Sequence, residues 1–411
     1  MDDRKKTRNG YLGSRICRAK ECIRESSMKI ALITTHPWVG ISTPVIETAK
    51  FLASKGDEVL LFIQLDSNLQ TIGLGHPDLD STRIQIIPVV FPSLFTMIQN
   101  RFPVFLKEII SSLFFWYKFR SVWKSVSFLI GYDPFGIIRT GVIARFTKIS
   151  YIYHSLELYN VSSLVFNLAV CFVKKAKFTL IQDRNRARIL SVLSKIVMKE
   201  ILILRNSTSG FAIRSKENYF RKKFKIDRSK KIALVTGTLL PLTGIEVILK
   251  TTSEWPNDWV LVLHGWVPDS QFLTHIKNEI SENPGRIFLS TDLIPSEQKF
   301  SIFQSVDLCF IWYSPDDLNL KYAAGSAGKY YDSLRCGLPM IGNQIPMMGR
   351  LLEGVGIVVR NEKEIAAAIK KISADYDTFQ ENGFRKFENF EFSRSFEPIY
   401  EKINEIVGLR M

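Results

Sequence analysis

The sequence predicts an α/β protein built from two doubly wound domains that face each other across a cleft. Short apolar runs of strand length alternate with helical patterns, first from Met28–His36 onward and again from Lys230–Leu240 onward. This alternation is typical of parallel sheets that are covered by helices on both faces. The chain of 411 residues, 46% of them hydrophobic, is long enough for two cores of about 200 residues each. We therefore predict two Rossmann-like domains, at residues 28–207 and 210–390.

The first 27 residues lie outside these domains. They hold eight Lys or Arg residues against four Asp or Glu residues, and they lack the apolar stretch of a signal peptide. We predict a disordered basic tail over residues 1–27. This tail either touches lipid or precedes the true start of the protein at Met28.

The net charge and the cysteines narrow the functional classes. A formal charge of +15 calls for an anionic partner, which nucleic acid, an acidic membrane surface or an anionic substrate would each provide. We do not expect nucleic acid, because the sequence contains no recognised nucleic-acid-binding motif. The five cysteines form no CxxC pair and no even disulfide framework. This pattern favours a reducing compartment without structural zinc, and we expect a cytoplasmic protein.

The most informative stretch is GSAGKYYDSLRCGLPMIGN, at residues 325–343. Small residues, among them Ser326 and Gly328, free the backbone ahead of a predicted helix over Lys329–Cys336, which the following Gly-Leu-Pro ends. The open N–H groups of a helix start attract phosphate. Lys329 lies in that first turn, where a cation is disfavoured unless an anion is present. The pattern therefore indicates a phosphate-binding helix start.

Asp332 lies one turn further along the same face of this predicted helix. A carboxylate there could accept hydrogen bonds from two neighbouring hydroxyls, such as those of a ribose. Lys329 and Asp332 together thus suit a nucleoside diphosphate. The alternative is an ordinary α/β helix with a surface lysine and an ion pair between these two residues, and this stretch alone leaves both open.

At these residues the sequence resembles the GT-B glycosyltransferases, especially family 4 and its relatives. Many relatives carry the pattern Ser-x-x-Lys-x-x-Glu-Tyr, which Ser326, Lys329 and Asp332 match, with Asp for Glu and Ser333 for Tyr. The other family motif begins with a glutamate that contacts the donor sugar, and this glutamate falls on Ala324. The resemblance therefore implies the nucleotide-binding part of the site better than its sugar-binding part.

The resemblance extends over most of the chain and implies further donor-binding residues. The loop after the first strand, which holds Gly40, would close over the donor phosphates, although Gly40 also suits a simple turn. Gly237 follows the first strand of the second domain. The family's phosphate-binding Arg and Lys are replaced by Thr238 and Thr243, which shifts the phosphate charge onto Lys329 and backbone amides. The backbone of Ile294 would contact the base edge.

Two catalytic candidates, His154 and Glu157, follow from a predicted strand over Ser150–His154. Catalytic groups in open α/β sheets tend to lie at the carboxyl ends of strands. The run resembles a family element with adjacent His and Glu, which two other residues separate here. Either side chain could orient an acceptor hydroxyl. Alternatively, they are an ordinary histidine and glutamate of a helix start. The family pattern also implies a final helix, at residues 393–408, that crosses back onto the first domain.

Residues 91–130 combine many aromatic residues with lysines and arginines. No stretch reaches the roughly 18 to 20 apolar residues that a membrane span needs. Aromatic and basic residues together suit a helix that lies in the headgroup layer. We favour such a membrane-surface segment, which would place the protein peripherally at the cytoplasmic face of a membrane. The alternative is that the aromatic residues belong to the domain core.

The resemblance implies a glycosyltransferase that moves a sugar from a nucleotide-diphosphate sugar to a glycan or lipid-linked acceptor, in cell-surface polysaccharide or glycoconjugate synthesis. It also implies retention of configuration without a metal, and we expect no cofactor besides the donor substrate. No DxD motif suited to a metal-bound diphosphate is present, since Asp316 and Asp317 are adjacent. The alternatives are a nucleotide-sugar epimerase of the same fold and a non-catalytic nucleotide-sugar-binding subunit of a transferase complex.

Overall fold

The computed structural model of the protein describes residues 27–35, 42–65, 77–91, 102–158, 164–292, 294 and 298–408. The predicted tail lies outside the described residues apart from Ser27, and Gly40 lies outside them as well.

Within the described residues, the first half of the chain forms a parallel sheet of seven strands. These are β1 (Lys29–Thr34), β2 (Glu58–Gln64), β3 (Ile84–Val89), β4 (Phe128–Tyr132), β5 (Ser150–His154), β6 (Thr179–Ile181) and β7 (Ile201–Ile203). The strand order is β3-β2-β1-β4-β5-β6-β7, so the winding direction reverses between β1 and β4.

Helices cover both faces of this sheet. They are α1 (Thr43–Ser54), α2 (Val104–Lys118), α3 (Asp133–Thr147), α4 (Leu164–Val173) and α5 (Arg184–Ser194). One hydrophobic core lies between the sheet and α1, and a second lies between the opposite face and α2 to α5.

The second half of the chain repeats this plan with a parallel sheet of six strands in the described part. These are β8 (Lys231–Thr236), β9 (Trp259–His264), β10 (Ile287–Ser290), β11 (Leu308–Ile311), β12 (Met340–Asn343) and β13 (Gly356–Val359). The order is β10-β9-β8-β11-β12-β13, and the winding reverses between β8 and β11.

The helices of the second half include several short ones. They are α6 (Tyr219–Phe224), α7 (Ile245–Thr251), α8 (Ser270–Glu282), α9 (Lys299–Gln304), α10 (Leu318–Lys321), α11 (Gly328–Arg335), α12 (Met348–Leu352), α13 (Ile365–Ala374), α14 (Tyr376–Glu388) and α15 (Phe392–Gly408). Apart from α15, they cover two further cores, one on each face of the second sheet.

The strands match the apolar runs of the sequence. All five residues of β4 and all six of β9 are buried, because a parallel sheet with helices on both faces exposes neither side of its central strands to water. The predicted α/β class with two doubly wound sheets is confirmed. The predicted strand over Met28–His36 is β1, and the helix predicted over Lys329–Cys336 is α11, which begins one residue earlier.

The last helix, α15, belongs to the core of the first domain. The Phe396 ring packs edge-on against Phe51 of α1 at 5.0 Å, and the Tyr400 hydroxyl donates to Asp57 Oδ2 at 2.8 Å. The chain therefore leaves the first domain, forms the second, and returns to the first through α15.

The two connections between the domains lie side by side. Phe392 N donates to Thr208 O at 3.2 Å, which joins the return crossing to the linker after β7. Arg335, the last residue of α11, donates to Thr208 Oγ1 at 3.0 Å and to Phe211 O at 3.1 Å. The helix predicted to bind phosphate at its start thus contacts the interdomain linker at its end.

Candidate functional site

The candidate site lies at the carboxyl ends of β8 and β11, where the winding of the second sheet reverses. Such reversal points leave a crevice in which open α/β sheets bind ligands. Gly237, directly after β8, has a left-handed φ of 114° and is exposed together with Thr238. A Cβ atom on Gly265, after β9, would lie 1.8 Å from Gly237 O. Glycine at position 265 therefore lets the two loops approach and keeps this edge of the sheet open.

Lys329 reaches across this crevice from α11. Its Nζ donates to Thr236 O, the last carbonyl of β8, at 3.3 Å and lies 4.8 Å from the centre of the Tyr313 ring. Among the described residues no carboxylate forms an ion pair with it. Burial lowers the pKa of the Lys329 ammonium. A partly buried ammonium whose described contacts are a carbonyl and an aromatic face is well placed to bind an anion.

The start of α11 adds backbone donors next to this ammonium. No side chain caps the helix at Ala327, so its first N–H groups gain no side-chain acceptor. A Cβ atom on Gly328 would meet no other atom within 4 Å, which shows open space above the first turn. Lys329 and the start of α11 together suit a phosphate or diphosphate.

Asp332, one turn deeper in α11, is 3% exposed. Its Oδ2 forms an ion pair with Lys299 Nζ at 2.7 Å, while its Oδ1 is buried and has no hydrogen-bond partner in the described part of the chain. Burial raises the pKa of this carboxyl, and Lys299 acts in the opposite direction. The ion pair between Lys329 and Asp332, one of the two sequence-based alternatives, is not formed. Asp332 pairs instead with a residue of α9.

Ser326 joins the two domains. Its hydroxyl donates to Ala323 O and accepts from Arg186 Nη1, both at 3.1 Å, and its carbonyl accepts from Asn206 Nδ2 at 2.8 Å. Arg186 and Asn206 belong to the first domain. Ser326 thus fixes the segment ahead of α11 against that domain.

Glu157 lies on the opposite wall of the cleft, three residues after β5. Its side chain is 53% exposed and its Oε2 lies 3.6 Å from Arg186 Nη2. Asn319 of α10 donates to the same oxygen at 2.5 Å and accepts from Leu158 N at 3.1 Å. The predicted acceptor residue therefore also forms a bridge to the second domain.

The loop that carries Glu157 is held by Asp133, the first residue of α3. Asp133 has a left-handed φ of 53°, and its Oδ1 accepts from Leu156 N at 2.8 Å and Glu157 N at 3.3 Å. A carboxylate that accepts two backbone N–H groups fixes the course of a loop. Asp133 thus orients Glu157 from the neighbouring strand end.

His154 is the last residue of β5 and is fully buried. Its ring lies 5.2 Å from the Tyr132 ring, and neither ring nitrogen has a hydrogen-bond partner among the described residues. Burial lowers the pKa of this imidazole to about 4. We predicted that His154 would project into the loop after β5, but the loop begins at the next residue and His154 remains in the strand. A catalytic role of His154 stays a prediction, and at pH 7 its imidazole ring is neutral.

The buried imidazole has a consequence for stability. The unfolded chain binds a proton on His154 near pH 6.5, whereas the folded protein binds it only near pH 4. Lowering the pH therefore favours unfolding, and this contribution should reach about 2 kcal/mol between pH 8 and pH 5. Urea unfolding of the wild type and of His154→Gln at both pH values measures it. An equal loss of stability in the two proteins would contradict the burial of a neutral imidazole.

Sequence reasoning missed Arg186, Asn319, Lys299 and Asp133. Arg186 lies in the basic run Asp-Arg-Asn-Arg-Ala-Arg after β6, but only the fold shows which of its arginines is buried. The other three are common polar residues whose partners lie far away in the sequence.

The structure says less about the remaining predicted site residues. Ile294 is half-buried against the core of the second domain, and its immediate neighbours lie outside the described residues. In the described part of the chain, no cluster of three or more His, Cys, Asp or Glu residues is arranged to hold a metal ion. Asp317 instead caps α10 through Leu320 N at 2.9 Å.

Comparison with known proteins gives matches of structure only. No protein-family profile and no curated protein matches the sequence. The fold matches crystal structures of Anabaena HepE with UDP and glucose (TM-score 0.70, 13% identity) and of sucrose-phosphate synthase from Thermosynechococcus elongatus (0.66, 15%). It also matches WaaG, a glycosyltransferase involved in lipopolysaccharide biosynthesis (0.62, 10%). Each match covers 92 to 93% of this chain and all of the other chain. The predicted resemblance to the GT-B glycosyltransferases is thus confirmed for the fold.

Proposed function

We propose that this protein is a glycosyltransferase that moves a sugar from a nucleotide-diphosphate sugar to a glycan or lipid-linked acceptor. One observation carries the proposal. Lys329, whose Nζ forms no ion pair with a described carboxylate, lies beside the uncapped start of α11 at the crevice of the second sheet. The GT-B fold supports it, because one protein of this fold, Anabaena HepE, was crystallised with UDP, with UDP and glucose, and with UDP-glucose.

The donor would lie along α11. The diphosphate would contact Lys329, the first amides of the helix and the open loop at Gly237 and Thr238. The ribose would lie one turn deeper at Asp332, whose Oδ1 is without a described partner, and the base would lie towards Ile294. Thr243 stands where the resembling family has a lysine. Its hydroxyl donates to Leu240 O at 2.7 Å and thereby stabilises the local turn. Lys329 would therefore carry most of the diphosphate charge.

The reaction would take place in the cleft between the domains. The bond between the anomeric carbon and the diphosphate oxygen breaks, and the acceptor oxygen forms a new bond to that carbon. The nucleoside diphosphate leaves with the electrons of the broken bond, and its departing oxygen accepts the proton of the acceptor hydroxyl. Glu157, on the first domain, would orient the acceptor hydroxyl. We propose retention of configuration and a diphosphate neutralised without a metal by Lys329 and the backbone amides.

A non-catalytic nucleotide-sugar-binding subunit is the second candidate. Two contacts favour it, because the proposed acceptor residue Glu157 is engaged by both Arg186 and Asn319. In such a subunit these contacts would persist in the presence of donor and acceptor.

Turnover by the purified protein tests the proposal. It is incubated with a panel of nucleotide sugars, each with and without free and lipid-linked glycan acceptors, and products are identified by mass spectrometry and sugar analysis. We expect a glycosylated acceptor and one nucleoside diphosphate per transfer. A changed sugar on the nucleotide without any acceptor would identify an epimerase instead. Binding of a donor without either product would identify the non-catalytic subunit.

The acceptor side carries an exposed apolar surface on α2. This helix buries Ser111, Ser112 and Phe115, whereas Leu113 and Tyr117 are exposed. Lys118 and Arg120 are exposed beside them. No helix in the described part of the chain is long and apolar enough to span a membrane. We propose that this face of α2 lies in the headgroup layer of an anionic membrane, at its cytoplasmic face, where a lipid-linked acceptor would be found.

Vesicle flotation tests this surface. The wild type should float with anionic vesicles, dissociate at about 0.5 M salt, and stay behind with neutral vesicles, because salt screens the attraction of exposed lysines and arginines. The double variant Leu113→Asp with Tyr117→Asp should lose binding. Val192→Asp, which changes another exposed apolar residue of the same domain, is the matched control. Equal recovery of the wild type with neutral and anionic lipid would refute the membrane proposal.

A further inference from the structure

The contact between Lys299 and Asp332 was not foreseen from the sequence. Lys299 is the first residue of α9, and its Nζ lies 2.7 Å from Asp332 Oδ2. The lysine side chain is 32% exposed, whereas the aspartate side chain is 5% exposed. The pair therefore joins a buried carboxylate of α11 to a partly exposed cation of α9.

The two oxygens of Asp332 have different surroundings. Oδ2 is taken by Lys299, whereas Oδ1 is buried and has no hydrogen-bond partner among the described residues. A buried carboxylate oxygen without a donor is costly and rare in folded proteins. Because the ion pair holds Oδ2, it also sets the direction in which Oδ1 points. Oδ1 therefore lacks the hydrogen-bond donor that a buried carboxylate oxygen normally has, and a ligand hydroxyl could supply it.

Three charged groups face this carboxylate. Lys299 comes from α9, Arg335 from α11 itself, and Glu47 from α1 of the first domain. Arg335 already donates to the linker at Thr208 and Phe211. The negative charge of Glu47 disfavours the ionised form of Asp332. The Glu47 side chain itself accepts a hydrogen bond from Ser209 N at 3.0 Å. Lys299 therefore makes the one ion pair that Asp332 has within the described residues.

This ion pair has a clear effect on protonation. Burial raises the pKa of the Asp332 carboxyl, and among the groups that lower it again Lys299 has the largest effect. A protonated carboxyl loses much of its capacity to accept hydrogen bonds, since one of its oxygens becomes a donor. Without Lys299, a buried carboxyl beside Glu47 would hold its proton to a higher pH.

We propose that Lys299 is a positioning residue that keeps Asp332 ionised and aims its Oδ1 at a ribose hydroxyl of the bound nucleotide. This inference rests on the proposed function, because it takes the nucleotide to lie along α11. Lys299 acts through Asp332 and needs no contact with the nucleotide.

The test compares two ligands that differ only in one ribose hydroxyl. Calorimetric titration with UDP and with 2′-deoxy-UDP gives a ratio of dissociation constants. The ionisation of the phosphates and of the base affects both ligands alike and cancels in this ratio. A change of the ratio with pH therefore reports the ionisation of groups of the protein. The wild type should prefer UDP about tenfold or more at every pH from 6.0 to 8.5, as expected for a hydrogen bond to a charged acceptor.

Lys299→Met should behave differently. Its preference for UDP should fall below that of the wild type, most strongly at pH 6.0, and should recover towards pH 8.5, because loss of the cation raises the pKa of the buried Asp332 carboxyl. Lys299→Arg should retain the wild-type ratio at every pH, because the cation is preserved. Lys231→Met removes the lysine of the 3.9 Å pair with Asp258, which lies at the amino ends of β8 and β9, and it should not change the ratio.

Several results would overturn the proposal. The ratio of Lys299→Met could equal that of the wild type at each pH, which would show that Lys299 does not act on the ribose contact. A ratio lost equally at all pH values would show a purely structural lysine. Lys299→Gln, which keeps a polar end group without the charge, gives the same readout should the methionine variant unfold. Failure of the wild type to bind UDP or any other nucleoside diphosphate would instead overturn the proposed function itself.

Discussion

Replacing Lys329 with alanine should weaken the binding of a nucleoside diphosphate about tenfold to a hundredfold, because a hydrogen bond to a charged group contributes about 1.5 to 3 kcal/mol. The Nζ of Lys329 contacts Thr236 O and the Tyr313 ring and forms no ion pair with a described carboxylate. Thr238 and Thr243 stand where the resembling GT-B glycosyltransferases carry a phosphate-binding Arg and Lys. Few other cations could therefore compensate for its loss. Calorimetric titration of the wild type and the variant measures the effect.

Two comparisons make this result specific. The uncharged nucleoside should bind the wild type and Lys329→Ala alike, since it carries no phosphate. Asp332→Asn should weaken nucleoside and nucleoside diphosphate by similar factors, because its expected partners are ribose hydroxyls. Lys250→Ala, at an exposed position of α7, should leave both affinities unchanged. If Lys329→Ala binds the diphosphate as tightly as the wild type, α11 is a structural helix and the site lies elsewhere.

Much of this arrangement could be predicted because it depends on local sequence. Glycines before α11 and Gly-Leu-Pro after it delimit the helix, and the prediction was wrong by one residue at its start. The strands were found because buried parallel strands appear as continuous apolar runs. The same continuity explains the placement of His154. The strand over Ser150–His154 was predicted with its correct ends, but both faces of β5 are buried, and the sequence did not show that the side chain of its last residue would be buried as well.

The contacts that complete the site are distant in sequence and could not be predicted. Asn319 and Glu157 are 162 residues apart, and their contact depends on how the two domains meet. The orientation of α2 was equally hidden. Hydrophobic patterning would bury Leu113 and expose Ser111 and Ser112, whereas the structure does the reverse. The serine hydroxyls donate to carbonyls one turn earlier in α2, at Lys107 and Glu108, which makes their burial tolerable.

Glu157→Gln should lower turnover about a hundredfold, because the acceptor hydroxyl loses the charged group that orients it and misplacement of a reacting group costs about that factor. The structure makes this substitution informative. Asn319 Nδ2 donates to Glu157 Oε2 at 2.5 Å, and the carbonyl oxygen of a glutamine can accept the same hydrogen bond. The variant should therefore keep the bridge between the domains and lose only the negative charge. Steady-state kinetics on saturating donor and acceptor, with donor affinity measured by calorimetry, separates the two effects.

Asn319→Ala is the matched variant for this experiment, because it removes the bridge and leaves the carboxylate in place. Arg186 still lies 3.6 Å from Glu157 Oε2, and Asp133 still holds the backbone of the loop. We therefore expect Asn319→Ala to retain most of the turnover, and both variants to bind the donor as the wild type does. A large loss of turnover in Asn319→Ala with little loss in Glu157→Gln would show that Glu157 acts only by joining the domains. A fall in donor affinity that matches the fall in turnover of Glu157→Gln would place Glu157 in the donor site rather than beside the acceptor.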